Sequence, residues 1–351
     1  MLHLSRKAPL RRLGAAALLL TGVFVLQGWS QQASAASSVR AKAGNVEDWT
    51  ALTLAHSELH LEPPVVGEKV DMPRFTRELL QVKWRLDDPI DLYIIRPKGV
   101  PKPPVVLYLY SFPSDTSRFR DDRYCERVTA GGVAAVGFVT ALTGHRYQNR
   151  PMKQWFVSEL QESLATSVHD VQMILNFLAA RDDLDLNKVG MFGAGSGGTI
   201  AILAASADPR IKAIDVLDPW GDWPDWLAGS NLIPDGERAN YVQPEFLKKV
   251  ASLDPLVYLP KLTQPVRIQD VLDDTDTPKK VKKRIESAAP KKAEVTRYDN
   301  TRELFSSVGG GRIFQWIKQQ VQPAAAVESA AQHASQQPQP ELRKVEPGHD
   351  D

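Results

Sequence analysis

The stretch at residues 188–205, KVGMFGAGSGGTIAILAA, decides the fold of this chain. Its first part, VGMF at 189–192, is a short apolar run of the kind that forms a buried strand. Its last part, from Gly198 onward, is rich in small apolar residues and predicts a helix at 198–206. A glycine-rich bend joins the two. A buried strand that turns directly into a helix is characteristic of α/β architecture.

Apolar runs and helical periods alternate on both sides of this stretch. The predicted strands are 77–86, 90–97, 105–110, 133–142, 211–217 and 265–272. Apolar residues recur at a helical period over 164–178, and a last helix is predicted at 311–321. This order predicts an α/β fold with a mostly parallel central sheet and helices on both faces.

One segment, residues 219–262, interrupts the alternation and predicts a small lid over the end of the sheet. It begins PWGDWPDWLAG and contains Trp220, Trp223 and Trp226. We expect these tryptophans to pack the insertion down. The alternative is an aromatic wall for a substrate, such as a sugar.

Both ends of the chain are expected to lie outside the folded domain. A basic start, an apolar run and Ala33-Ser34-Ala35 form the pattern of a secretory signal peptide over residues 1–35. The alternative is a membrane anchor, for which the apolar run is short. Residues 36–70 are expected to form an N-terminal extension. Residues 322–351 are rich in Ala, Gln and Pro and are typical of a disordered tail.

The composition excludes some classes of function. The net charge is +1 and becomes slightly negative without the basic N-terminus, so nothing favours nucleic-acid binding. The one cysteine, Cys125, cannot form an intramolecular disulfide. We therefore expect an exported protein, periplasmic or secreted, that is held together by its core and leaves the membrane after signal cleavage.

From about residue 75 to 320, the chain resembles the α/β-hydrolase superfamily, in particular its dienelactone-hydrolase-like and acyl-peptidase-like branches. The resemblance rests on the strand–bend–helix at 188–205, on QPVRIQDVLDDTDTP (264–278) and on AEVTRYDNTRELF (293–305). It implies a serine on a strained turn, an acid after the penultimate strand, and a histidine in the last loop. Asp274 lies at the acid position. The implied substrate is a small-molecule ester or acyl compound.

The bend can be aligned with the nucleophile motif in two registers. In one, Gly195 holds the nucleophile position, with Gly197 and Gly198 after it. A glycine there adopts the positive φ of the turn without steric cost. In the other, Ser196 is the nucleophile, and we treat it as the candidate. The oxyanion loop departs from the family pattern and reads Tyr110-Ser111-Phe112-Pro113, where backbone N–H groups can still serve.

The histidine expected from the family pattern is missing from the last loop. The best match to its position is Glu303, a poor base for a serine hydroxyl at neutral pH unless burial raises its pKa. His145 and His169 are two further histidines of the central region, and a structural role is expected for each. An acidic cluster around Asp274 does not match a calcium loop, so no metal or cofactor is expected.

The sequence supports two main hypotheses about function, and a third is a structural role in an envelope complex with the Gln- and Pro-rich tail as a tether. The first is an exported hydrolase with Ser196 as nucleophile, Asp274 as acid and an atypical base, with weak or altered activity. The second is a non-catalytic protein that uses the former active-site cleft to bind a ligand or a partner.

Overall fold

A computed structural model describes residues 47–86, 88–111, 116–142, 146 and 159–322 of the chain. The predicted signal peptide (1–35) lies outside the described residues, and so do the tail from residue 323 onward, Phe112 and His145.

The centre of the protein is a nine-stranded sheet with the order β1-β2-β3-β5-β4-β6-β7-β8-β9. The strands are β1 (Val65–Asp71), β2 (Phe75–Val82), β3 (Ile90–Pro97), β4 (Pro104–Leu109), β5 (Ala134–Phe138), β6 (Asp185–Ala194), β7 (Ile211–Leu217), β8 (Val266–Val271) and β9 (Glu294–Tyr298). The strands β1, β2 and β3 form an antiparallel meander, and β3 pairs antiparallel with β5. From β5 to β9 every pairing is parallel, which confirms the predicted mostly parallel sheet.

Helices cover both faces of the sheet, as predicted. They are α1 (Asp122–Thr129), α2 (Leu160–Ala179), α3 (Ser196–Ala207), α4 (Trp223–Gly229), α5 (Asp235–Tyr241), α6 (Pro244–Val250), α7 (Pro255–Tyr258), α8 (Lys279–Ala288), α9 (Thr301–Gly309) and α10 (Gln315–Val321). Buried side chains of α2, α3 and α8 belong to one hydrophobic cluster. Those of α1 and α10 belong to a second cluster on the opposite face.

The apolar runs of the sequence become the central strands because both of their faces are covered. Every residue of β4 and of β5 is buried. A parallel strand covered on both faces can be apolar throughout, since no side of it meets water. In contrast, β1 lies at the edge of the sheet and is almost entirely exposed.

Several boundaries differ from those predicted. The sheet begins at Val65, inside the predicted N-terminal extension, because β1 pairs with β2 through main-chain bonds that need no apolar pattern. The strand β6 begins at Asp185, before the apolar run predicted as a strand at 189–192, because Asp185 is in register with Pro104 of β4. The loop that should carry the last catalytic group is partly the helix α9.

The insertion at 219–262 contains α4 to α7 and is packed down by its tryptophans. Trp220, Trp223 and Trp226 are at most 1% exposed. The rings of Trp220 and Trp226 stack with centroids 4.6 Å apart, and Trp223 meets Trp226 edge to face at 5.8 Å. The packing interpretation is therefore confirmed, and these rings form no open wall.

Among the helices that the structure describes, none combines the length and the apolar character that a bilayer crossing requires.

Candidate active site

The turn between β6 and α3 has the conformation of a strained strand-to-helix elbow, and its apex is Gly195. This residue has φ 51° and ψ −118°, a region that side chains with a Cβ rarely adopt. Its N–H donates to Leu217 O at 2.8 Å, and its carbonyl accepts from Thr199 N at 3.1 Å. The elbow is thereby fastened to β7 on one side and to the first turn of α3 on the other.

The flanking glycines fix the register of the motif. A Cβ on Gly193 would lie 2.7 Å from Gly198 N, and a Cβ on Gly197 would lie 2.7 Å from the carbonyl carbon of Leu109. Both positions therefore require glycine, because neighbouring backbone occupies the space of a side chain. They lie two residues before and two residues after Gly195. The geometry supports the register in which Gly195 holds the nucleophile position.

The space that a nucleophilic side chain would need is already filled. A Cβ on Gly195 would lie 2.7 Å from Ser111 Cβ, closer still to Ser111 Oγ, and 3.2 Å from Trp220 Nε1. Ser111 comes from the end of β4, and Trp220 from the insertion after β7. The elbow backbone is thus retained, while two other elements occupy the position of its side chain.

The predicted nucleophile Ser196 lies one residue past the apex. It is the first residue of α3 and is 0% exposed. A serine hydroxyl must reach the substrate carbonyl to attack it. The structure therefore places Ser196 inside the protein and not at the cleft surface.

Asp274, the residue at the acid position after β8, forms an ion pair with Lys282. Asp274 accepts from Thr277 N at 3.1 Å and lies 3.5 Å from Lys282 Nζ. Lys282 projects from α8 with its side chain only 5% exposed, and its ammonium group also donates to the carbonyls of Val271 and Asp274. Asp274 thus has a cationic partner, but that partner is a buried ammonium group and not an imidazole.

A further carboxylate at this edge, Asp218, was not predicted from the sequence. It follows β7, accepts from Val271 N at 3.0 Å, and pairs with Lys282 at 3.0 Å. Burial raises the pKa of Asp218 to about 6, although Lys282 acts in the opposite direction. Its φ of 42° is unusual for a residue with a side chain. Such strained residues cluster at functional sites. Nothing local in the sequence marks it.

Glu303, the predicted base, caps a helix. Asn300 is the N-cap of α9 and accepts from Glu303 N at 3.1 Å, while Glu303 Oε2 accepts from Asp299 N at 2.7 Å. This is an exchange of the capping-box kind, which satisfies free N–H groups at a helix start. Glu303 is exposed and binds backbone of its own turn.

His169 has the structural role that was expected. It lies in the middle of α2, is 0% exposed, and contacts Glu47 and the carbonyl of Ala51.

An open depression of about 320 Å³ is lined by Asp273, Asn300 and Arg302. Asp273 follows β8 and Asn300 follows β9. Because β6, β8 and β9 run parallel, the depression opens at the same edge of the sheet as the elbow. Among the described residues, no group of three or more His, Cys, Asp or Glu side chains is arranged to hold a metal ion.

The fold described above is shared with solved hydrolases. The chain has an α/β-hydrolase fold. It is similar to acetyl xylan esterase 1 from Thermoanaerobacterium sp. JW/SL YS485, with 14% identity, a TM-score of 0.55, and coverage of 71% of this chain and 87% of that one. It is also similar to an acetyl xylan esterase from Paenibacillus sp. R4, with 13% identity, a TM-score of 0.56, and coverage of 85% and 96%.

A third hydrolase is matched over part of its length. The acylaminoacyl peptidase of Pyrococcus horikoshii shows 16% identity and a TM-score of 0.53, with 80% of this chain covering 44% of that protein. No protein-family model matches this chain, and no curated protein sequence matches it either. At these identities the likeness establishes the α/β-hydrolase fold, and the activity has to be argued from the site.

Proposed function

We propose that this α/β-hydrolase-fold protein has lost covalent serine hydrolysis and acts by binding a ligand in the former active-site cleft. The observation that carries the proposal is the filled elbow. Gly195 holds the nucleophile position, and Ser111 and Trp220 lie where its side chain would be. A covalent mechanism needs a nucleophile within reach of a base, and the apex offers no side chain at all.

The other positions of the triad support the same proposal. Asp274 faces the ammonium group of Lys282, and an orienting acid has no use unless it orients a histidine. Glu303 binds the backbone at the start of α9. A carboxylate in that exposed position is a weak base for a serine hydroxyl. Asp274 and Glu303 are thus both engaged in structural contacts.

The chemistry of the cleft supports a small ligand with an ester or acyl group. The elbow keeps its backbone conformation, and backbone N–H groups at such a turn favour a carbonyl oxygen. The depression at the same edge of the sheet combines the guanidinium of Arg302 with the polar side chains of Asp273 and Asn300. The ligand would bind here without being cleaved.

The test is labelling of the folded protein with a fluorophosphonate probe, followed by mapping of any modified residue by mass spectrometry. We expect no labelling above that of heat-denatured protein. Labelling of any serine in the folded protein, lost in the matching Ser196→Ala or Ser111→Ala variant, would overturn the proposal.

One observation favours a second candidate, weak acyl hydrolysis by Ser111. Its hydroxyl lies beside the position of a nucleophilic side chain on residue 195, at the edge where the elbow lies. In this case Ser111→Ala abolishes probe labelling and ester turnover, while Ser196→Ala leaves both unchanged. The same pair of variants therefore separates the two candidates.

Export to the periplasm or the medium, inferred from residues 1–35, is part of the proposed function. Cell fractionation of the tagged full chain checks it. The mature protein should begin near residue 36, and a full-length protein in the cytoplasm would contradict export.

A further inference from the structure

The first described segment, residues 47–56, lies against α2 and is called the N-terminal strap. Its attachment is largely polar. Leu52 is its one buried apolar side chain, whereas Trp49 is 38% exposed. The strap is held by Gln172, which donates to Leu52 O at 2.7 Å, and by His169, which contacts Glu47 and Ala51. The strength of the attachment therefore depends on the charges at this contact.

Both ring nitrogens of His169 face acceptors on the strap. Nδ1 lies 2.7 Å from Glu47 Oε1, and Nε2 lies 3.0 Å from Ala51 O. A neutral imidazole donates from only one nitrogen, whereas an imidazolium donates from both. The partner of Nδ1 is a carboxylate and the partner of Nε2 is a carbonyl, and both groups only accept hydrogen bonds. Only the doubly protonated ring can donate to both of them.

The charges around His169 balance only when the ring is protonated. Glu47 accepts from Arg85 at 2.6 Å through both of its oxygens, and Arg85 also binds Asp170. Arg146 bridges Asp170 and Asp88. This buried network of ion pairs thus contains three carboxylates and two guanidinium groups. Its net charge is −1 with a neutral His169 and zero with an imidazolium. An unpaired buried charge is costly.

We propose that the N-terminal strap is a pH-sensitive latch that is closed by the imidazolium of His169. When the ring loses a proton, one of its nitrogens presents a lone pair to an acceptor, and the buried cluster carries an excess negative charge. The strap then separates from α2, which lets water reach Glu47 and Arg85. The latch therefore closes in acid and opens as the pH rises.

Charged groups from every packed element face this ring. They are Glu47 and Asp48 of the strap, Arg85 after β2, Asp88 before β3, Asp170 of α2, and Arg146. The pKa of Glu47 is lowered to about 2; burial acts in the opposite direction and is outweighed by hydrogen bonds from His169 and Arg85. The pKa of Asp170 is also lowered, so both carboxylates remain ionised over the pH range in which the strap opens.

Hydrogen–deuterium exchange of the full chain tests the latch. Strap amides such as Thr50 N, bonded to Asp48 Oδ1, and Ala51 N, bonded to Asp48 O, report attachment. After correction for the chemical exchange rate, we expect their protection to fall on the order of tenfold between about pH 5 and about pH 8. Peptides from the buried strand β4 should show no such change and serve as the internal control.

Two variants separate the latch from simple loosening. In His169→Gln the side chain stays uncharged, so strap protection should not depend on pH. In Glu47→Gln one anion is removed, so the midpoint of opening should move to lower pH. A flat profile in the wild-type protein, or the same decline in His169→Gln, overturns the proposal. If low protection of β4 shows that His169→Gln is unfolded, the test rests on Glu47→Gln. An unchanged pH midpoint of strap opening in that variant then overturns the proposal.

Discussion

Two buried ionic clusters on the same face of the sheet differ in how their carboxylates are paired. In the strap cluster, Asp170 accepts from Trp84, Arg85 and Arg146, and its pKa is lowered. In the cluster at α8, Asp270 is 1% exposed and its oxygens accept from no donor. Burial, together with the neighbouring Glu286 and Asp218, raises the pKa of Asp270 to about 8.

The difference shows that burial alone does not decide the charge of a carboxyl group. Both acids are removed from water, which by itself raises the pKa. Asp170 has two guanidinium partners that more than offset this cost. Asp270 has another carboxyl group, Glu286, as its neighbour, so a protonated Asp270 can donate to it. In the cluster at α8 a protonated Asp270 therefore lies beside an ionised Glu286, whose pKa is lowered because burial is outweighed by hydrogen bonds from Arg297 and Asp270, and the strap cluster is a charged network.

The largest expected effect is the loss of Asp170. The Asp170→Asn variant leaves Arg85 and Arg146 without their shared partner inside the protein. Removing one partner of a buried ion pair costs about 3–5 kcal/mol. The free energy of unfolding from urea titration should fall by this amount. A loss below about 1 kcal/mol would contradict this prediction, because it would mean that the network contributes no more than a surface ion pair.

The second effect is the contribution of the ionised Glu47 to stability, which is lost in acid. Its pKa is about 2 in the folded protein and near 4.3 in an unfolded chain. The folded state therefore binds fewer protons, and this contribution is present above about pH 4 and lost as the pH falls toward 2. Glu47→Gln should lower the free energy of unfolding at neutral pH by about 3 kcal/mol. At about pH 2 the variant and the wild-type protein should converge.

The third effect has the opposite sign. Asp270 has a pKa of about 8 in the folded protein and near 3.9 when unfolded. The folded state binds more protons, so its contribution is greatest in acid and is lost as the pH rises from about 4 to 8. Asp270→Asn should increase the free energy of unfolding at neutral pH by about 1–2 kcal/mol. It should also flatten the pH profile in that window, and a destabilised variant with the wild-type slope would contradict the assignment.

The smallest expected change in the free energy of unfolding is at Glu303. Variants of this residue distinguish a helix-capping role from a catalytic one. Glu303→Ala should lower the free energy of unfolding by about 0.5–1 kcal/mol, because Asp299 N, just before the N-cap of α9, loses its acceptor. Glu303→Gln keeps the accepting oxygen and should recover most of the loss. Any ester turnover that disappears in both variants alike would instead assign Glu303 a chemical role.

The sequence predicted the core of the fold but not its edges. Central strands such as β4 are apolar along their whole length, and the helical period of α2 extends over five turns, so both can be recognised locally. The edge strand β1 carries no apolar pattern, since its pairing depends on main-chain bonds to β2. The helix α9 begins with a capping exchange that the sequence alone did not distinguish from a catalytic loop.

The sequence by itself determined the α/β class, the strand–bend–helix at 188–205, and the lack of a histidine in the loop after β9. These are local properties of composition and period. The tertiary structure alone supports the register with Gly195 at the apex, because a Cβ on Gly197 would meet the backbone of Leu109 on β4. It also brings Ser111 into the space beside Gly195 and the ammonium group of Lys282 to Asp274. No local pattern in the sequence reveals these contacts, because only packing brings the groups together.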